Sequence, residues 1–170
     1  MLWHPAYVGL GSNLGEPAAQ LRRALAALPG LPRTRLILTS SLFGSRPLGP
    51  VEQPDYANAV AGMLTQLPAE EFFEALRALE GALGREPPRV RWGPRLIDLD
   101  LLLFGGRQLE SPGLTLPHPG IVQRNFVLYP LQQVAPGLYV PGCGWVNELA
   151  ARADPAGIWR WDDNSNTHGA

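Results

Sequence analysis

Leu96-Ile97-Asp98-Leu99-Asp100-Leu101-Leu102-Leu103-Phe104 is the stretch on which the fold turns. Its apolar run is broken only by two aspartates, and a strand sends successive side chains to opposite faces. It therefore predicts a strand covered on both sides, placed centrally in a sheet. Asp98 and Asp100 stand two residues apart, so a strand projects both carboxylates from one face. Like charges on a buried face repel and are costly unless neutralised. Hard oxygen ligands of this kind suit Mg²⁺, with phosphates completing the shell. Spacing alone fits ion pairs with Arg91 and Arg95 equally well.

Working towards the N-terminus, Pro68–Leu83 predicts a helix, with Phe72, Phe73, Leu76, Leu79, Ala82 and Leu83 in one apolar stripe. Glu70, Glu71 and Glu74 suit its N-terminal half, and Gly84 ends it. Tyr56–Leu64 and Arg35–Gly44 predict two strands, with a Pro-rich loop over 46–55 between them. Pro17–Leu28 carries Leu21, Ala24, Leu25 and Leu28 at helical spacing, and Ala6–Leu10 is a first strand ending at Gly11. The order is βαββαβ, which predicts an α+β, ferredoxin-like sandwich with long active-site loops. Gly105-Gly106 is a turn followed by a short return through 107–110. Beyond Pro117, Asn125–Val134 reads as a helix interrupted at Pro130, and Trp145–Arg152 as another.

The chain has 170 residues, enough for one domain, expected over 1–161 with a polar, flexible tail over 162–170. Its charge of −1 rests on 14 basic and 15 acidic residues, and every basic residue is Arg. Without a basic excess, duplex nucleic acid is not an expected partner. A single cysteine, Cys143, excludes an internal disulfide and fits a reducing compartment. No leader-like or membrane-spanning run is present, so a cytoplasmic monomer away from membranes is expected.

Arg85, Arg89, Arg91 and Arg95 crowd into eleven residues around Trp92. Guanidinium groups on a loop suit a polyphosphate clamp, and Trp92 offers a flat face. Their closeness to Asp98 and Asp100 favours this over a merely solvated loop, since cation and Arg clamp together suit phosphoryl transfer. Gly11-Ser12-Asn13-Leu14-Gly15 reads by itself as a structural turn, and without Lys it is no P-loop. Tyr56 and Asn58 share a strand face; taken alone they read as sheet packing and loop capping. His118, between prolines, suits a phosphate donor and a solvent-facing residue equally.

Together these pieces resemble one family. Gly11–Gly15, Pro47-Leu48-Gly49-Pro50, Gln53-Pro54-Asp55-Tyr56 with Asn58, Arg91-Trp92-Gly93-Pro94-Arg95 with Ile97-Asp98-Leu99-Asp100, and Leu116-Pro117-His118 follow the order of the 6-hydroxymethyl-7,8-dihydropterin pyrophosphokinases of folate biosynthesis. The resemblance implies transfer of the terminal diphosphate of ATP to the pterin hydroxymethyl group, with release of AMP and use of two Mg²⁺ ions. It implies Asp98 and Asp100 as metal ligands and, with Arg85 and Arg95, as catalytic residues. Gly11, Ser45, Leu48, Tyr56, Asn58, Trp92 and Phe126 would line the pterin pocket, the ring lying between Tyr56 and Phe126. Glu80, Arg85, Trp92, Arg95, Leu101, Thr115, His118 and Arg124 would surround ATP. Departures fall at Arg77, Pro87, Gly113 and Pro119. The competing classes are a non-catalytic ferredoxin-like module for pterin or single-stranded RNA, and a relative that binds pterin only. RNA would want a basic face, and Asp98 and Asp100 oppose one.

Overall fold

A computed structural model describes residues 2–84 and 96–162. The expected first strand is β1 (His4–Ser12), followed by α1 (Pro17–Ala27) and a short 3₁₀ turn, Leu28–Gly30. The expected second strand divides into β2 (Thr34–Thr39) and β3 (Phe43–Ser45), before β4 (Tyr56–Thr65), α2 (Ala69–Ala82) and β5 (Asp98–Phe104). A hairpin of β6 (Leu109–Ser111) and β7 (Leu114–Leu116) precedes α3 (Asn125–Val134). A second small hairpin, β8 (Tyr139–Val140) and β9 (Gly144–Trp145), leads into α4 (Val146–Arg152) and the last strand, β10 (Ile158–Arg160).

The main sheet is antiparallel in the order β10-β3-β4-β1-β5, with β2 also paired to β4. Among the described residues β5 is thus an edge strand, which corrects its expected central place. Its apolar run reflects covered faces, not two neighbouring strands. On one face Leu99 and Leu101 meet α1, the 3₁₀ turn after it and α2, where Leu21, Leu28, Phe72 and Leu76 are fully buried. On the other face Leu102 and Leu103 pack with Val127, Leu128 and Leu131 of α3 and Val146 and Leu149 of α4. Both leucines point that way because the register slips beside Tyr7 and Val8, leaving Leu102 unmatched. The result is three layers, helices–sheet–helices. Burying one such leucine or phenylalanine contributes about 1.5–3 kcal/mol.

The second strand breaks because its register to β4 shifts between Leu36 and Leu38 and again before Phe43. At the break the Ser40 Oγ accepts the Val60 N–H at 2.9 Å, taking a ladder position that a backbone carbonyl would fill. Pro130 does not interrupt α3; it lies buried within the helix. The one bond it forfeits is to the Phe126 carbonyl, in the first turn. Gly84, expected to stop α2, has a φ of +94°, a conformation that favours glycine.

β10 had no signal in the sequence. It pairs with β3 and lays the Trp159 indole across Gly44, so that a Cβ at Gly44 would overlap the ring. We expect Gly44→Ala to destabilise the protein by about 1–3 kcal/mol, as overpacking does. Urea denaturation checks this; an unchanged midpoint would mean that β10 does not press on β3.

Candidate active site

The site lies at one end of the sheet, on the face that α3 and α4 only partly cover. Strand register places its floor. Gly9 stands opposite Asp100 and Gly11 opposite Asp98, while Asn58 of β4 stands on the other side of Gly11. Neither glycine sends a side chain above the sheet, so open space remains between the carboxylates and Asn58. A cavity of about 290 Å³ occupies it. Gly11, Ser45, Leu48, Tyr56, Asn58 and Phe126, all expected around a pterin, line it together with Asp98, Asp100, His118 and Arg124.

Asn58 is held before any ligand arrives. Its Nδ2 donates to Ser45 Oγ at 2.8 Å and to the Phe43 carbonyl at 3.4 Å, which leaves Oδ1 as an acceptor. Both side chains are buried. The loop after β1 works as the structural turn expected of it. The buried Asn13 Nδ2 donates to Gln53 Oε1 at 2.8 Å and to the Pro54 carbonyl at 3.0 Å, so the 46–55 loop is tied to the end of β1.

A second cavity, of about 370 Å³, opens beside the first. Leu101, Thr115 and His118, expected around ATP, line it with Phe73, Arg77 and Gly113. Asp100 and His118 belong to both cavities and form the wall between them. Glu80 lines neither. It is 2% exposed and points at the backbone of Leu99. Arg85, Trp92 and Arg95, with Arg89 and Arg91, lie outside the described residues. So do the proposed ion pairs of Asp98 and Asp100 with Arg91 and Arg95. Among the described residues, Arg77 Nη2 stands 3.9 Å from Asp100 Oδ1.

Hydrogen bonds from its backbone and to its ring hold His118. Its N–H donates to the Leu102 carbonyl at 2.8 Å, at the register slip of β5. Its Nδ1 accepts the Gly120 N–H at 3.0 Å, which puts the proton of the neutral ring on Nε2. The Arg124 guanidinium packs against Gly120, which has no Cβ to exclude it, and lies 5.8 Å from the Phe126 ring centre. Burial is the largest influence on His118 and lowers its pKa. Asp100 opposes this, and Arg124 and Arg77 lower it further.

The carboxylate pair suits a hard divalent cation. Two aspartates share a strand face, and no group of three or more His, Cys, Asp or Glu surrounds a point among the described residues. Two protein carboxylates, with phosphate oxygens and water completing the shell, match the way Mg²⁺ is commonly bound. Two polar residues of the first cavity escaped the sequence reading of the pocket. Arg46 is brought there by its N–H bond to the Gly157 carbonyl, 3.0 Å away and far along the chain, and Gln53 by Asn13. No local pattern marks either contact.

The family model described as 7,8-dihydro-6-hydroxymethylpterin-pyrophosphokinase (HPPK) matches residues 7–136. The chain is 47% identical over 154 residues to the 2-amino-4-hydroxy-6-hydroxymethyldihydropteridine pyrophosphokinase of Pseudomonas aeruginosa, covering 91% of this chain and 94% of that one. It is 44% identical over 144 residues to the enzyme of that name from Haemophilus influenzae, covering 85% and 89%. In structure it resembles HPPK-DHPS in complex with substrates, with a TM-score of 0.68, 10% identity, and coverage of 89% of this chain and 43% of that one. Plasmodium falciparum HPPK-DHPS with pteroate gives 0.68 at 12% identity, with coverage of 88% and 42%. The chain spans less than half of those two solved chains, and the likeness to them is one of fold.

The shift at His118 has a pH consequence. Between its lowered folded pKa and the ordinary 6.5, the unfolded chain binds the proton and the folded one does not. This residue therefore costs stability as pH falls through that window and has no effect above it. Asp100→Asn removes the one influence that raises the pKa. The His118 ring signals in an NMR titration should then move to still lower pH; an upward move would contradict the account.

Proposed function

The chain belongs to the 7,8-dihydro-6-hydroxymethylpterin-pyrophosphokinase family and is a pyrophosphokinase of folate biosynthesis, and we propose that its two cavities hold the two substrates on either side of Asp100 and His118. The shared wall is the observation that carries this reading. In this reading the pterin hydroxymethyl group, in the first cavity, lies next to the β-phosphate of ATP in the second. The hydroxyl oxygen attacks the β-phosphorus, the bond from that phosphorus to the α–β bridging oxygen breaks, and AMP leaves. The hydroxyl proton passes to solvent.

In this reading the pterin ring lies between Tyr56 and Phe126, and Asn58 Oδ1 accepts from an N–H on its edge. Aromatic stacking of that kind contributes about 0.5–1.5 kcal/mol beyond burial. Leu101 and Thr115 flank the nucleotide, and the His118 Nε2–H and Arg124 donate to phosphate oxygens. Arg85 and Arg95 clamp the transferring group, with Trp92 reaching both substrates. Asp98 and Asp100 hold two Mg²⁺ ions, which when bound neutralise the triphosphate and polarise the attacked phosphorus. Positioning and charge account for most of the rate in this reading.

The same reading takes β1-α1-β2/β3-β4-α2-β5 as a ferredoxin-like sandwich, with α3 and α4 as an added layer. That layer argues against an RNA-binding module, which would need an open sheet face with exposed aromatics. A monomeric, cytoplasmic enzyme over 1–161, without nucleic-acid partners, completes the proposal. No helix among the described residues is long and apolar enough to cross a membrane.

Mixing the chain with ATP, Mg²⁺ and the reduced pterin should release one AMP for each pterin diphosphate formed. Asp98→Ala should lower turnover by at least ~10²-fold, the scale of losing a preorganised charge partner. Pterin affinity, read by calorimetry, should stay nearly unchanged. Lost pterin affinity with retained turnover would reverse the assigned roles.

A further inference from the structure

Among the described residues β5 ends the sheet, so alternate backbone groups on its outer side face no described strand. At Leu99, the residue between the two aspartates, both outward groups are taken by side chains of α2. Glu80 Oε2 accepts the Leu99 N–H at 2.8 Å. Arg77 Nη2 donates to the Leu99 carbonyl at 2.6 Å. Arg77 Nη1 then meets Glu80 Oε1 at 2.8 Å, which closes a ring of backbone, carboxylate and guanidinium. The guanidinium lies 4.8 Å from the centre of the Phe73 ring. The Leu99 side chain is fully buried against the α1–α2 layer. Leu99 is therefore fixed at its N–H, its carbonyl and its side chain, while its two neighbours project from the opposite face.

This arrangement is more than an edge cap needs. A neutral side chain would cover the same edge without burying a carboxylate, whose desolvation is costly unless it is paired. The Arg77 Nε also stays buried with no partner among the described residues. A guanidinium set only by its own hydrogen bonding would not leave that donor unmet. Charge-assisted bonds are shorter and stiffer than neutral ones, and stiffness is what a closely spaced ligand pair requires.

We propose that Arg77 and Glu80 are positioning residues: by clamping the Leu99 backbone from α2 they hold Asp98 and Asp100 at the spacing that a divalent cation needs. The inference rests on the reading of those aspartates as metal ligands. Glu80 then acts through Leu99, without touching the nucleotide. Arg77 links the second cavity to the carboxylates, since it lines that cavity and stands 3.9 Å from Asp100 Oδ1.

The test uses Mn²⁺ alone, with no nucleotide, so that the place of Arg77 in the second cavity does not enter. Mn²⁺ affinity is read by electron paramagnetic resonance for the full chain and for Arg77→Met, Arg77→Lys, Glu80→Gln and Asp98→Ala. Asp98→Ala should abolish the site. Arg77→Met and Glu80→Gln should weaken it by about 10–100-fold, as loss of a group that orients a ligand does. Arg77→Lys should recover part of the loss, and amide exchange at Leu99 should accelerate in Glu80→Gln. Pterin affinity without cation should hold within about twofold of the parent. Folded Arg77→Met and Glu80→Gln chains with unchanged Mn²⁺ affinity would overturn the inference and leave the metal site standing. Mn²⁺ binding indifferent to Asp98→Ala would overturn the metal site itself, and the inference with it.

Discussion

The pairing of β1 with β5 sets a glycine opposite each of the two aspartates, Gly9 against Asp100 and Gly11 against Asp98. Everything else in the site depends on that register. Two carboxylates on one strand face need room for counter-charge, and side chains on the neighbouring strand would fill it. A Cβ at Gly11 would come within 3.6 Å of Asn58 Oδ1 and 3.7 Å of Tyr56, narrowing the floor where the ring is proposed to lie. A slip of one residue would turn both carboxylates into the α1–α2 core. The register slip further along β5 has the opposite purpose. It turns Leu102 and Leu103 together towards α3 and frees the Leu102 carbonyl for His118.

The three layers divide the work. α1 and α2 cover one face completely, and from there Glu80 and Arg77 reach round the edge of β5 to Leu99. α3 and α4 cover the other face only as far as Val127 and Leu102, and the first cavity begins where they stop. The start of α3 carries Arg124 and Phe126 to the rim. Asn125 fastens that start to the final segment, donating to the Asp154 and Ala156 carbonyls at 2.8 and 2.9 Å. β10 then closes over β3, next to Ser45 and Arg46. Residues 158–160 lie beyond the span matched by the family model, yet they brace the strand that bears Ser45.

Much of this was legible in local patterns. The apolar stripes of α1 and α2 report helix faces, and the shared face of Asp98 and Asp100 follows from strand geometry. The motifs around Gly11, Tyr56, Asn58 and His118 mark residues that do line the cavities. What escaped depends on pairings between distant segments. An apolar strand buried by helices on both faces reads like a central one, so the edge position of β5 was hidden. The break at Ser40 arises from register with β4, and Ser40-Ser41 carries no turn signal. Arg46 meets Gly157, just before β10, through a long-range contact, and Ile158–Arg160 is too short to announce a strand. Glu80, placed beside ATP by resemblance, bonds through its carboxylate to Leu99 and Arg77, a contact that no local pattern marks.

The most direct measurement is a crystal structure of the chain with Mg²⁺, the reduced pterin and a non-hydrolysable ATP analogue. The account predicts metal on Asp98 and Asp100, the pterin between Tyr56 and Phe126, and the nucleotide across the wall formed by Asp100 and His118. A structure with both substrates bound, but with those carboxylates free of metal and paired with arginines, would contradict it.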